Sequence, residues 1–417
     1  MGSDPEFQQR TDWAEYFVAQ LASQPLISEC VYHSPQHTDK TQKEVVDILL
    51  ALAGRAILLS LKCQQDPGSR SPEREAAWVA KAATDAAGQA KGALRALQSN
   101  PYWCDHPRRG RVQFAARELR AVHAIVLVEA LNPVHLATEL PLHLEGVPIS
   151  YFSVDDFCHL IQELRTIPEI EAYLDARRSL PLNTLRVVGR ERSLYEYYLL
   201  NGENLLGCLG PDDAGVVSAA RADELRSALA RKAEADRYSG LIERVADCLA
   251  ERNPDYLSGL SIEDQARFDS PANRMNYLRM QEELCDLRLA GRALLGRHFA
   301  GLMERADAAK PPAMTFAAAH YDSKPDFIYV LASARGESRT ELLDRARTLL
   351  LGAMAFYDKH RGMAIVDRDG ASFEVALYEV PTHSITAFHV GERFFGQLRM
   401  DHIPATIVPE PRKAETL

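Results

Sequence analysis

Apolar residues at Trp13, Phe17, Val18 and Leu21 recur at helical spacing, which predicts a first helix over Asp12–Leu21. Glu29–His33 reads as a strand, followed by the polar, turn-forming stretch SPQHTDKTQ. Val45–Ala53 and Arg55–Lys62 are nearly continuous apolar runs joined at Gly54. They predict a hairpin of two strands buried on most of their faces. Pro67–Pro72 is a loop, and the Ala-rich Glu73–Leu97 has the intrinsic propensity of a long helix. Strands at Val122–Val128 and Ile149–Phe152 and helices at Val154–Leu164 and Glu169–Arg178 complete a helix, strand, strand, strand, helix, strand order.

Beyond Arg178 the pattern changes. Residues 181–215 are turn-rich around the aromatic run LYEYYLL, and 218–252 and 275–308 read as amphipathic helices. Pro311–Pro312 leads into a final unit with a strand at Phe327–Ala332, a helix at Arg339–Lys359, and strands at Met363–Val366 and Phe373–Val380 turned by Asp369–Gly370. PEPRKAETL is expected to be a frayed tail. The expected domains are 8–178, a mostly helical 179–310, and a small α/β domain over 311–408.

A chain of 417 residues exceeds one ordinary core, and 46% hydrophobic with 25% charged residues is average for a globular protein. Even AIVLVEALNPVHLA is interrupted, by Glu129 and Pro133, so no membrane span is expected. MGSDPEF reads as a cloning remnant without the apolar core of a secretory signal, and the expected location is cytoplasmic. Seven scattered cysteines form no C-x-x-C pair, which argues against a disulfide framework or structural zinc site. A net charge of −10 excludes coating of nucleic acid by bulk charge, so a polyanion would need a local basic groove.

Two charges stand out against the hairpin: Asp47 near the start of one strand and Lys62 at the end of the next. An antiparallel turn at Gly54 makes them neighbours, and Ser60, Lys62 and Gln64 share a side by strand alternation. A carboxylate there can hold a divalent cation with the Leu61 carbonyl, while a lysine neutralises a phosphate or assists an attacking water. A structural ion pair is the plainer alternative. Arg108, Arg109 and Arg111, with Arg117, Arg120, Trp103, His106 and Phe114 nearby, are candidates for a nucleic-acid groove wall; a solvated loop and helix face is an equal reading.

Asp47 followed by Ser60-Leu61-Lys62 and Gln64 resembles the PD-(D/E)xK restriction-endonuclease-like nucleases, whose signature is an acid followed on the next strand by (D/E)-x-K. The K-E-x-x-D of Lys43–Asp47 with S-x-K is similar to a group of uncharacterised bacterial proteins. The resemblance covers roughly residues 10–178 and implies a mixed α/β sheet flanked by helices. It also implies hydrolysis of phosphodiesters, of DNA and in a role such as antiphage defence, with Mg²⁺ or Mn²⁺ held by Asp47 and Leu61. Ser60 stands where the family carries an acid, and a hydroxyl is a poorer ligand for a hard cation. Glu15 and Glu44 are the preferred substitutes, with Glu73 and Glu75 behind them. Rival readings are a degenerate nuclease fold that binds nucleic acid or a protein without cutting, and an RNase. The middle helices could mediate self-association.

Overall fold

A computed structural model describes residues 21, 24–37, 45–64, 70–137, 139–251, 271–321, 324–370, 372–379, 385–396 and 401–403. The expected helix over Asp12–Leu21, Glu15 and Glu44, and the tail lie outside the described residues, apart from Leu21. The chain divides into two units, one of the described residues up to 229 and one of those from 230 onward. That boundary falls inside a helix.

The first unit begins with one helical turn, α1 (Pro25–Ser28), and then a meander of three antiparallel strands, β1 (Val31–His37), β2 (Ile48–Leu52) and β3 (Arg55–Lys62). Helix α2 (Pro72–Ser99) follows, started by Ser71, whose hydroxyl accepts the Arg74 N–H, and by Pro72 at a position where no N–H is needed. The hairpin β4 (Tyr102–His106) and β5 (Gly110–Phe114) adds to the free side of β1, and β6 (Arg120–Val128) runs parallel to β3. After the short β7 (Val134–His135) and β8 (His143–Leu144), β9 (Val147–Ser153) pairs parallel to β6. The resulting eight-stranded order is β5-β4-β1-β2-β3-β6-β9-β8, and β7 pairs separately with β10 (Val187–Val188).

Alternation decides what each face carries. Leu49, Ala51, Ala56, Leu58, Val126 and Val128 share one core with Val79, Ala83, Ala86 and Ala90 of α2, whose methyl-sized side chains let the helix lie close to the sheet. Phe152, on the opposite face from Tyr151, meets Phe157 of α3 (Val154–Glu163), and α4 (Ile167–Arg177) reaches β2. Helices α5 (Glu191–Leu200) and α6 (Pro211–Ala220) belong to this unit too. Buried Arg177 ties α4 to α5 through a two-pronged pair with Glu191, at 2.8 and 3.2 Å, and Tyr173 donates to the same carboxylate at 2.6 Å.

Beyond α7 (Ala222–Glu251), which the division crosses, the second unit contains α8 (Pro271–Cys285), α9 (Leu289–Ala308) and a five-stranded sheet. Its order is β14-β13-β12-β11-β15, from β11 (Ala313–Tyr321), β12 (Phe327–Arg335), β13 (Arg361–Asp367), β14 (Phe373–Glu379) and β15 (Asp401–Ile403). Helix α10 (Arg339–Phe356) makes the crossover between parallel β12 and β13 and packs against α11 (Ile385–Phe395). Strand β11 and helix α11 went unread in the sequence, because AMTFAAAHY lacks the β-branched density of a strand signal and the helix follows a proline-containing stretch.

The expected β3 limits agree with the ladder, whereas the β2 ladder begins only at Ile48, leaving Val45–Asp47 as its approach. The β4–β5 hairpin differs most from expectation. Its arginines drew attention to a basic surface, while the alternating burial of Tyr102, Cys104 and His106 was the strand signal.

Candidate functional site

Hairpin β2–β3 turns through Ala53 and Gly54, at φ 48° and 75°, the left-handed pair that a two-residue turn between twisted strands requires. The ladder pairs Leu52 with Arg55 and Ile48 with Leu59. One further step sets Asp47 across from Ser60, with Lys62 beyond it. Since Leu49, Ala51, Ala56 and Leu58 all face α2, alternation along β3 directs Ser60 and Lys62 to that same side, whereas Asp47 lies in the bend before β2.

Asp47 Oδ2 accepts the Leu61 N–H at 2.7 Å. Burial pushes the Asp47 carboxyl above its ordinary pKa, and the Leu61 N–H and the Lys62 ammonium oppose that rise. Within an extended strand the N–H and C=O of one residue point to the same flank, so the Leu61 carbonyl lies on the Asp47 side. Asp47, Leu61 and Lys62 are half-buried, while Ser60 is buried. Two oxygens, from Asp47 and Leu61, thus gather beside a lysine at the end of β3.

Gln64 is bound to the other flank. Its N–H donates to Glu129 Oε2 at 2.6 Å, its Nε2 donates to the Glu129 carbonyl at 3.1 Å, and the Glu129 N–H donates to the Lys62 carbonyl at 2.9 Å. Glu129 therefore clamps the ends of β3 and β6 and holds the Lys62–Gln64 segment in line. Sequence reasoning saw Glu129 only as an interruption of an apolar run. The usable signal was its position one residue past a buried strand lying parallel to β3.

Of the substitute acids within the described residues, Glu75 is buried and occupied. It accepts the Leu131 N–H at 2.5 Å and the Asn132 side-chain amide at 2.8 Å, fixing the turn after β6 to the first turn of α2. Glu73 is exposed, and hydrogen bonds from its own backbone N–H and from Ser71 lower its pKa. Among the described residues, no group of three or more His, Cys, Asp and Glu side chains is arranged to hold a metal ion.

The proposed groove wall is divided. Arg108 donates to Glu29 at 2.8 Å, and Arg109 is inserted against the Tyr32 hydroxyl and the Glu29 carbonyl. Arg109 also lies over the Tyr32 ring, 5.2 Å from its centroid. Beneath them His106 Nδ1 accepts the Arg108 and Arg109 N–H groups, both at 3.1 Å, so the ring proton sits on Nε2, which donates to the Glu29 carbonyl at 3.2 Å. Burial, with the Arg109 charge, pushes His106 down to about 2. These groups bind the hairpin to α1 and β1. Arg111 is exposed and faces Asp105 at 3.5 Å.

No family model matches the chain, and no curated protein or solved structure matches it. No helix among the described residues is long and apolar enough to cross a membrane.

Proposed function

We propose that the first unit is a divalent-metal-dependent nuclease of the restriction-endonuclease-like kind, acting on DNA. The observation that supports it most is the bonding of the Asp47 carboxylate to the Leu61 N–H, beside Lys62, at the end of β3 and within a meander followed by a helix and a parallel strand. Asp47 and the Leu61 carbonyl supply hard oxygen donors that suit Mg²⁺ or Mn²⁺, ions that commonly take one or two carboxylates and complete their shell with water and phosphate oxygens. Held by Asp47 and the Leu61 carbonyl, the ion would supply Lewis acidity toward the phosphoryl oxygens and the attacking water. Lys62 holds the substrate phosphate by charge and stabilises the extra negative charge that develops during attack. Glu129 and Gln64 fix the backbone around Lys62, and burial of Asp47 strengthens its hold on opposite charge. Seven free thiols suit a reducing, cytoplasmic setting.

Plasmid, single-stranded DNA and RNA incubated with the protein and Mg²⁺ or Mn²⁺ test this reading. Cleavage that EDTA stops, and that Asp47→Ala and Lys62→Ala abolish, is the expected result; equal cleavage by both variants overturns it. Cleavage confined to RNA reassigns the substrate.

Buried Ser60, in place of an acid, favours one other reading: a nuclease-like fold that binds nucleic acid without cutting it. Retained binding with no cleavage under either metal is its signature.

A further inference from the structure

The hairpin arginines first considered for phosphate binding are largely engaged elsewhere, whereas a different cationic surface begins at the α2 end of the site. Arg70, Arg74, Trp78 and Lys81 follow one another at steps of four, four and three residues, a spacing that on a helix places Arg74, Trp78 and Lys81 in one stripe. Arg70, just before the helix, has its guanidinium over the Trp78 indole, 5.4 Å from the ring centroid. Arg74 and Lys81 are exposed, and Trp78 is half-buried against the α2 core. Among the described residues, no carboxylate pairs with Arg70, Arg74 or Lys81.

Position gives the stripe its meaning. Helix α2 packs on the face to which Ser60 and Lys62 project, and its first turn is fixed by Glu75 to the turn after β6. The helix thus starts at the end of the sheet where β3 finishes. From Arg74 to Lys81 the stripe advances about 10 Å along the helix.

We propose that this stripe is a track for an unpaired nucleic-acid strand leading to Asp47 and Lys62, a proposal that rests on the nuclease reading for its substrate. Arg74 and Lys81 take successive phosphates, and Trp78 offers its ring to a base when Arg70 swings from the indole to a phosphate. Stacking needs a base free of its partner, which is why the ligand is unpaired strand, and an arginine over an indole marks a face that attracts flat cationic or aromatic groups.

The test is anisotropy of a labelled oligothymidylate in EDTA, across a salt series, with the full chain. Trp78→Ala is expected to weaken binding about tenfold, and the Arg74→Gln/Lys81→Gln variant to flatten the log–log salt slope by about 1.4, at ~0.7 per phosphate contact on a single strand. The charge variant alters only exposed positions, so it reports even if Trp78→Ala fails to fold. Binding within about twofold of wild type and an unchanged slope in the charge variant overturn the track. So does a failure of the wild type to bind the oligonucleotide, or an equal loss on a fully paired duplex. Strand binding that depends on the stripe without any metal-dependent cleavage leaves the track standing and removes hydrolysis. Cleavage by wild type with unaltered binding in the charge variant does the reverse.

Discussion

The Asp47 carboxylate takes the Leu61 N–H at 2.7 Å, so the acid is anchored to the strand that carries Lys62, not merely near it. Burial that raises the Asp47 pKa means that the folded chain holds a proton there more readily than the unfolded chain does. Its stability contribution is therefore full below the ordinary carboxylate range and falls as pH rises through the raised value.

Asp47→Asn keeps an oxygen to accept the Leu61 N–H and removes the buried charge. In EDTA this variant should melt at the same temperature as wild type or higher at neutral pH. Added Mg²⁺ should raise the melting temperature of wild type alone, by about 2.7 kcal/mol of stability at a concentration a hundred times the dissociation constant. Thermal scans with and without Mg²⁺ decide the matter; an equal gain in the variant places the ion elsewhere.

His106 makes stability depend on acid. Its folded pKa, near 2, lies far below the ordinary value near 6.5, so the unfolded chain binds the extra proton. The contribution is complete above about 6.5 and is lost as pH falls toward 2, by up to about 1.4 kcal/mol per unit. Urea midpoints at neutral and mildly acid pH should lie further apart for wild type than for His106→Gln. Parallel behaviour would mean that the ring is not held neutral.

Arg177 and Glu191 are both buried, and removing one leaves the other charge without compensation. Arg177→Met should cost about 3–5 kcal/mol, whereas Arg177→Met combined with Glu191→Leu should recover much of it. Chemical denaturation of the two variants measures the difference, and equal losses would show that packing rather than charge sets the cost.

In the second unit, a Cβ added at Gly391 would lie 2.1 Å from the Gly352 carbonyl oxygen, a backbone atom that cannot turn aside. Gly391→Ala should push α11 from α10 and destabilise this unit by about 1–3 kcal/mol or more. Gly370→Ala meets no neighbour within 4 Å and carries only the strain of φ 84°. Limited proteolysis should expose the α11 segment in the first variant and not in the second.

The run of apolar residues from Ile48 to Leu61 contained enough to read the hairpin and the limits of β3, because two buried strands and a glycine turn are local patterns. Asp47 and Lys62 became candidates for the same reason: register across a short turn follows from counting. Glu129 lay beyond such counting. It meets Gln64 only because β6 pairs parallel to β3 after a helix and an inserted hairpin, a contact between positions 65 residues apart. The fate of Arg109 was equally hidden, since only the pairing of β4 with β1 brings Tyr32 and Glu29 against it.

Local periodicity and turn chemistry, written in the sequence, thus determined the β2–β3 hairpin, the long α2 helix and the closeness of Asp47 to Lys62, but not the β4–β5 hairpin, β11 or α11. Tertiary structure alone decided which carboxylates are committed to backbone donors, which arginines are enclosed and which remain on the α2 surface. Those outcomes depend on desolvation and on partners brought from distant segments, and neither is set by a residue's immediate neighbours in the chain.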